Sequence, residues 1–145
     1  TEVALCAMHM QGTPQDMQDN PSYGNVVEDI FVYLQSRRDE LVRKGIDSRR
    51  ICLDPGIGFG KTHEQNLALL RSCSQFHRLG CPLLIGHSHK GYIAKVIGDK
   101  QRSRLAGTLG VSLTLARQRI QILRVHDVQE VCDALNLFLT TGGLE

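Results

Sequence analysis

Four polar clusters in this 145-residue chain could do chemistry: Met8-His9-Met10-Gln11, Asp54-Pro55-Gly56, His87-Ser88-His89-Lys90 and Arg124-Val125-His126-Asp127. Each follows a short apolar run and is too polar for a core. The fourth is the most specific. Side chains alternate along a strand, so Ile122, Arg124 and His126 share one face and Leu123, Val125 and Asp127 the other. If Leu123 and Val125 pack under helices, a guanidinium and an imidazole point together into open space, an arrangement suited to an anion. The plainer reading pairs Arg124 with a structural carboxylate and has His126 cap a loop. Asp54 is open in the same way. Asp-Pro-Gly is a common turn, yet at a strand end in a cleft both carboxylate oxygens could take N–H donors from a ligand.

Several near-motifs fail. Gly56-Ile57-Gly58-Phe59-Gly60-Lys61-Thr62 ends like a nucleotide phosphate loop, but the first glycine of that motif would fall at Pro55. A dinucleotide fingerprint needs its third glycine one place beyond Gly60. The glycines still permit a tight strand-to-helix crossing near a ligand. His87 and His89, with His9, His126 and Asp127, form a candidate divalent-metal cluster of the kind that barrel hydrolases use, weakened by the positive charge of Lys90 and Arg124. His63 and His77 fall on helices and read as residues with no role. No Ser- or Cys-based triad is evident.

The elements that must carry these clusters alternate. Strands are predicted at Val3–Met8, Ile51–Leu53, Leu83–Gly86 and Ile120–Val125. A Gly12-Thr13-Pro14 loop follows the first strand, and Val27, Ile30, Phe31, Leu34 and Leu41 then recur at helical spacing up to Gly45. A second helix opens on the capping-box pattern Thr62-His63-Glu64-Gln65, buries Leu69, Leu70, Cys73 and Phe76, and closes at Gly80. Helices at 91–97, 105–117 and 128–139 complete the series. Four βα units with strands apolar nearly throughout predict a parallel sheet buried on both faces, either doubly wound or half of a (βα)8 barrel. All four polar clusters then lie at C-terminal strand ends, where such folds place their sites.

Composition narrows the remaining classes. With 41% hydrophobic and 22% charged residues and a net charge of +2, the chain reads as one ordinary globular domain. It has no basic stripe for nucleic acid, no apolar run of membrane length and no recognisable signal peptide. Its five cysteines are scattered and read as reduced core residues, which suggests the cytoplasm. The sequence begins without Met and runs almost at once into an apolar strand, so an upstream portion is expected.

Taken in order, five stretches resemble the dihydropteroate synthase family along nearly the whole chain. They are Met8-His9-Met10-Gln11-Gly12, Leu53-Asp54-Pro55-Gly56-Ile57-Gly58-Phe59-Gly60-Lys61, Leu84-Ile85-Gly86, Arg104-Leu105-Ala106-Gly107 and Arg124-Val125-His126-Asp127-Val128. The resemblance implies an α/β fold: residues 1–145 would be the C-terminal half, (βα)4, of a pterin-binding (βα)8 TIM barrel with outer helices, the N-terminal half being absent. It implies transfer of the (7,8-dihydropterin-6-yl)methyl group from its diphosphate to 4-aminobenzoate, releasing diphosphate and forming 7,8-dihydropteroate. Asp54 would pair with the donor edge of the pterin and Lys90 with its acceptors. Arg124 would lie on the pterin face and reach the diphosphate, with His126 beside it and Val125 contributing backbone. Phe59 would shape the wall shared by both substrates, Met8 would line the pterin slot, and Gly86 belongs to the same substrate-binding set.

Lys90, Arg124 and His126 would be the catalytic groups. Magnesium is implied for the family, its ligand lying upstream, as is a homodimer built on the last three helices. The family usually reads Ser-Arg-Lys-Ser where this chain has Ser88-His89-Lys90-Gly91, so Gly91 lacks the hydroxyl that helps hold the 4-aminobenzoate carboxylate. Two other readings remain: the pterin-binding domain of a corrinoid methyltransferase, and an inactive fragment that needs a partner half-barrel.

Overall fold

Apolar runs too short for helices become four parallel strands, β1 (Leu5–Met8), β2 (Ile51–Asp54), β3 (Leu84–Ile85) and β4 (Ile122–Leu123). In the computed structural model, which describes residues 3–13, 15–17, 19 and 21–144, helices alternate with them. These are α1 (Val26–Arg43), α2 (His63–Arg71), α3 (Gly91–Ile97), α4 (Leu105–Arg117) and α5 (Val128–Thr140). Pro14, expected in the loop after β1, lies outside the described residues.

β1 pairs with β2 in a register that sets Leu5 opposite Ile51 and Met8 opposite Asp54, and β3 pairs with β4 through Leu84–Ile122 and Ile85–Leu123. A parallel bridge between Leu53 and Leu83, with the Leu53 N–H donating to the Pro82 carbonyl at 2.9 Å, joins the two pairs. The strands therefore follow one another in chain order. A doubly wound sheet reverses its order at a switch point, whereas sequential parallel strands are the pattern of a barrel wall.

Local chemistry sets the helix ends. The Asn25 side chain accepts from the N–H groups of Val27 and Glu28 at the start of α1. At its other end Gly45 takes φ +87° and the Ile46 N–H reaches back to the Leu41 carbonyl at 3.1 Å. α2 opens with a complete capping box: the Thr62 hydroxyl accepts from the Gln65 N–H at 3.2 Å, and the Gln65 side chain accepts from the Thr62 N–H at 2.7 Å. The core lies between one face of the sheet and the helices, with Ile30 and Leu34 of α1, Leu53 of β2, Leu69 of α2, Leu83 and Leu115 all fully buried.

The structure departs from the sequence-based expectation in several places, beginning with shorter strands: β1 starts at Leu5 rather than Val3, β3 spans only Leu84–Ile85 and β4 ends at Leu123. α2 stops at Arg71 and the chain tightens into a 3-10 helix over Cys73–Leu79, whose three-residue repeat keeps Cys73, Phe76 and Leu79 aligned on the core. β4 begins two residues late, because Ile120 closes the end of α4 by donating its N–H to Leu115. The strands are also not buried on both faces. Helices cover one side only, leaving Ile122 41% exposed on the other. For that reason Cys6, in β1, is exposed and Cys52, opposite it in β2, half-buried; Cys132 on α5 is exposed as well, and only Cys73 and Cys81 are core residues. No helix among the described residues is long and apolar enough to cross a membrane.

Two outcomes follow from this packing. Thr62→Ala should lower stability by about 1 kcal/mol, with Thr62→Ser close to neutral, read as the midpoint of urea unfolding. His87 is fully buried with Nε2 2.8 Å from the Ser112 hydroxyl, and burial lowers its pKa. On acidification the unfolded imidazole protonates first, near pH ~6.5, while the folded one stays neutral. Stability should therefore be complete above that pH and fall below it. His87→Gln should flatten that slope in unfolding midpoints measured from pH 7 to pH 5.

Candidate active site at the strand ends

Asp54 is the last residue of β2 and is only 3% exposed. One oxygen accepts the Gly56 N–H at 2.7 Å, so the turn-capping role is real and occupies part of the carboxylate. Burial raises its pKa, opposed by the Gly56 N–H and then by the charges of Arg124, Lys61 and Lys90. Three cations from three different strand ends thus reach one buried carboxylate. The fields act in both directions: the Lys90 pKa is lowered by burial first and by Arg124 second, with Asp54 opposing.

Backbone without side chains lets these charges approach. Lys90 runs across Gly58, where a Cβ would lie 3.1 Å from its Cδ, and its Nζ sits 4.2 Å from the centre of the Phe59 ring. Arg124 lies on Gly86, where a Cβ would come within 2.5 Å of a guanidinium nitrogen. Along the last strand Ile122, Arg124 and His126 are exposed and Leu123, Val125 and Asp127 half-buried, the alternation expected. Among the described residues Arg124 makes no ion pair within 4 Å, so the structural-carboxylate reading does not hold.

His126 is tied to the neighbouring strand end. Its Nδ1 lies 2.9 Å from the Ser88 hydroxyl, which also accepts its backbone N–H at 3.2 Å, and its ring meets His89 edge-on at 5.2 Å. The loop-cap reading is thereby partly realised. His89 takes φ +55° and pairs through Nε2 with Asp127 at 2.5 Å. Thr108 accepts its N–H at 3.2 Å and Arg104 donates to its carbonyl at 2.7 Å. The Arg104-Leu105-Ala106-Gly107 stretch therefore holds the Lys90 loop from outside, and Gly107 admits the Ile93 side chain, which a Cβ there would meet at 2.3 Å.

Sequence reasoning missed Lys61 and His9 as a pair. Lys61 is 3% exposed, and its Nζ reaches the carbonyls of Gly56 and Phe59 and Nδ1 of His9. Burial pulls its pKa down to about 7 and that of His9 to about 4, the Lys61 charge adding to the fall at His9 and Asp54 opposing the fall at Lys61. The signal for it in the sequence is a lysine closing a glycine-rich run, Gly56 to Lys61. His77 bonds the Gln118 carbonyl at 2.8 Å, a structural contact.

The five residues considered as a metal cluster are not assembled into one. His9 faces Lys61, His87 faces Ser112 and His89 pairs with Asp127; no group of three or more His, Cys, Asp or Glu suited to a metal occurs among the described residues. Beside Lys90 opens a cavity of about 300 Å³ whose lining includes Gly58, Lys61, His63, Gly91 and Lys95, a positively charged recess. Met8, opposite Asp54 in register, is half-buried, as is Phe59. A buried acid ringed by three cations, with an aromatic wall and a basic recess, can hold a flat ring rich in N–H donors and at least one anion.

The family of pterin-binding enzymes matches residues 1–126. The chain is 39% identical over 139 residues to the dihydropteroate synthase of Haemophilus influenzae and 40% identical over 145 residues to that of Neisseria meningitidis serogroup B. These matches take in 96% and 97% of this chain. The chain spans about half the length of the curated relatives it matches, 50% and 51% for these two. Among solved structures, dihydropteroate synthase from Stenotrophomonas maltophilia with imidazole bound in its active site superposes with a TM-score of 0.92 at 33% identity, covering 99% of this chain and 54% of that one. The Yersinia pestis enzyme in complex with a sulfonamide drug gives 0.91 at 35% identity, covering 98% and 52%. The fold is thus an α/β parallel-strand portion of a barrel, and the chain belongs to the pterin-binding enzyme family.

Proposed function

We propose that this chain is the C-terminal half, (βα)4, of a (βα)8 dihydropteroate synthase, with residues 1–145 forming an incomplete barrel domain. The observation that carries this reading is the convergence of Asp54, Lys90 and Arg124, from three consecutive strand ends, within one another's electrostatic field. That pattern matches a pterin diphosphate, whose ring presents a guanidine-like donor edge and whose tail is anionic. The half-length match to relatives and the uncovered face of the sheet support the half-barrel.

In this reading Asp54 accepts from the donor edge of the pterin and Lys90 donates to ring acceptors. Met8 and Gly86 line the slot, and Phe59 walls both substrates. Arg124 covers the ring and reaches the diphosphate beside His126, with the Val125 backbone completing the contact. As the bond between the pterin methylene carbon and the diphosphate oxygen breaks, the leaving group takes the electron pair. Arg124 and His126 then meet the charge that develops. The amine nitrogen of 4-aminobenzoate forms the new C–N bond and gives up a proton, yielding 7,8-dihydropteroate. Lys90 holds the ring throughout. The basic recess near Gly91 and Lys95 takes the 4-aminobenzoate carboxylate.

Magnesium does not fit the residues present. Asp54 already serves the Gly56 turn among three cations, and Asp127 is engaged by His89. A homodimer through the last helices is consistent with the exposed Val128, Leu137 and Leu139 of α5, and the cytoplasm is the proposed compartment.

Dihydropteroate formation by the full-length protein, and none by the isolated chain, is the expected result; turnover by the isolated chain would overturn the half-barrel. Binding of a methylated folate in preference to the pterin diphosphate would instead support a corrinoid methyltransferase domain. In the full-length protein Asp54→Asn should weaken pterin diphosphate binding by roughly 10- to 100-fold in titration calorimetry. Wild-type affinity should itself fall as pH drops through the raised Asp54 pKa. A Cβ at Gly91 meets nothing within 4 Å. Gly91→Ser should therefore fold normally and lower KM for 4-aminobenzoate by about tenfold, the worth of one hydrogen bond to a charged group.

A further inference from the structure

Lys61 is a charged side chain deep in the structure that the proposed reaction does not use. Its surroundings are specific. An ammonium has three N–H donors, and three acceptors face this one: the Gly56 carbonyl at 2.9 Å, the Phe59 carbonyl at 2.8 Å and His9 Nδ1 at 3.1 Å. For Nδ1 to accept, His9 must be the neutral imidazole protonated on Nε2. The His9 ring is fixed in turn between Tyr33, edge-on at 4.8 Å, and Tyr23 at 5.9 Å, and its backbone N–H donates to the Asp54 carbonyl at 2.9 Å.

The loop that Lys61 grips is held from both sides. Asn66 accepts the Gly58 N–H at 2.7 Å, and the Tyr23 hydroxyl donates to the Gly60 carbonyl at 2.7 Å. Gly56 lies so close to β1 that a Cβ would fall 1.9 Å from the His9 carbonyl oxygen, and Gly56 and Gly60 both have positive φ. Both carbonyls that Lys61 grips belong to the candidate site. Gly56 is the residue whose N–H binds Asp54, and Phe59 is the residue whose ring lies under the Lys90 ammonium.

We propose that Lys61 is a positioning residue, which through the Gly56 and Phe59 carbonyls and the His9 imidazole holds the β2–α2 loop so that Phe59 restrains Lys90. With its three donors taken up by the loop and by His9, it sets where two substrate-binding side chains stand. The proposal rests on the synthase reading for its effect on turnover, but the placement of Lys90 is a property of the loop alone.

The test is a double-mutant cycle in the full-length protein with two readouts. The first is the rate at which a limiting acylating reagent labels Lys90, read by peptide mass spectrometry. Phe59→Ala should raise that rate about three- to fivefold by removing the cation–π contact. Lys61→Met should raise it by a similar factor, and the double variant no further. Lys90 labelling at the wild-type rate in Lys61→Met, or increments that multiply in the double variant, would reduce Lys61 to a buried stabilising cation.

The second readout is kcat/KM for dihydropteroate formation, where Lys61→Met should cost about tenfold in the wild-type background and less than about twofold beside Phe59→Ala. If Lys61→Met does not fold, Lys61→Gln replaces it in both cycles, with increments of the same sign but smaller, since its amide keeps two donor hydrogens where the ammonium has three. A full-length protein that makes no dihydropteroate would sink the synthase reading while the labelling cycle still decides the role of Lys61.

Discussion

A carboxylate taken out of water must be repaid by fixed partners, and Asp54 is almost wholly enclosed. Its partners are one backbone N–H and the fields of Lys61, Lys90 and Arg124. These come from the β2–α2 loop, the N-terminal end of α3 and the end of β4, so the opposition to the cost of burying the carboxylate lasts only while three loops keep their places. The reverse dependence also holds: without Asp54, three cations would face one another with nothing between them. This mutual requirement ties the geometry of the strand ends to the order of the strands. It needs β2, β3 and β4 side by side and parallel, as the Leu53–Leu83 bridge and the β3–β4 register provide.

Glycine is what allows the charges to approach. Gly58 gives Lys90 a path and Gly86 gives Arg124 a floor; a methyl at either position would meet the aliphatic stem or the guanidinium itself. Long flexible cations ordinarily lose much of their rotamer freedom when held in one place. Here the loss is reduced by surfaces that leave few alternatives: an aromatic ring beneath one ammonium and bare backbone beneath the guanidinium. The same economy explains Gly107, whose missing side chain lets Ile93 of α3 pack against α4 and so steadies the loop that carries Lys90.

Much of this was legible from residue order because local signals and tertiary packing agree. α3 and α4 begin and end where the glycines, charges and apolar spacing predict, and the capping box at Thr62 forms as its residues suggest. The alternation of Ile122, Arg124 and His126 against Leu123, Val125 and Asp127 also needed only the period of a strand. What could not be read were relationships set by distant residues. Nothing near Lys61 in the chain announces that His9, 52 residues away, accepts its third hydrogen bond. Cys6 sits in an apolar run, and the run does not say which of its faces the helices leave uncovered. The shortening of β4 likewise depends on Ile120 closing α4, a contest between two elements for one residue.

The two faces of the sheet divide the work. Leu53, Leu83 and Ile85 turn toward the helices and supply the apolar burial, while Cys6, Asp54 and Ile122 turn toward the open side. A one-residue slip of β2 would exchange these faces and carry Asp54 into the hydrocarbon core, where no cation waits for it. The register Met8–Asp54 is therefore under two constraints at once, one from burial and one from charge. His9, adjacent to Met8, enforces both: its backbone extends the β1–β2 ladder through the Asp54 carbonyl, while its ring takes the hydrogen bond from Lys61. The point where the fold is pinned is thus also the point where the site is aimed, so loosening the ladder at His9 disturbs packing and electrostatics together.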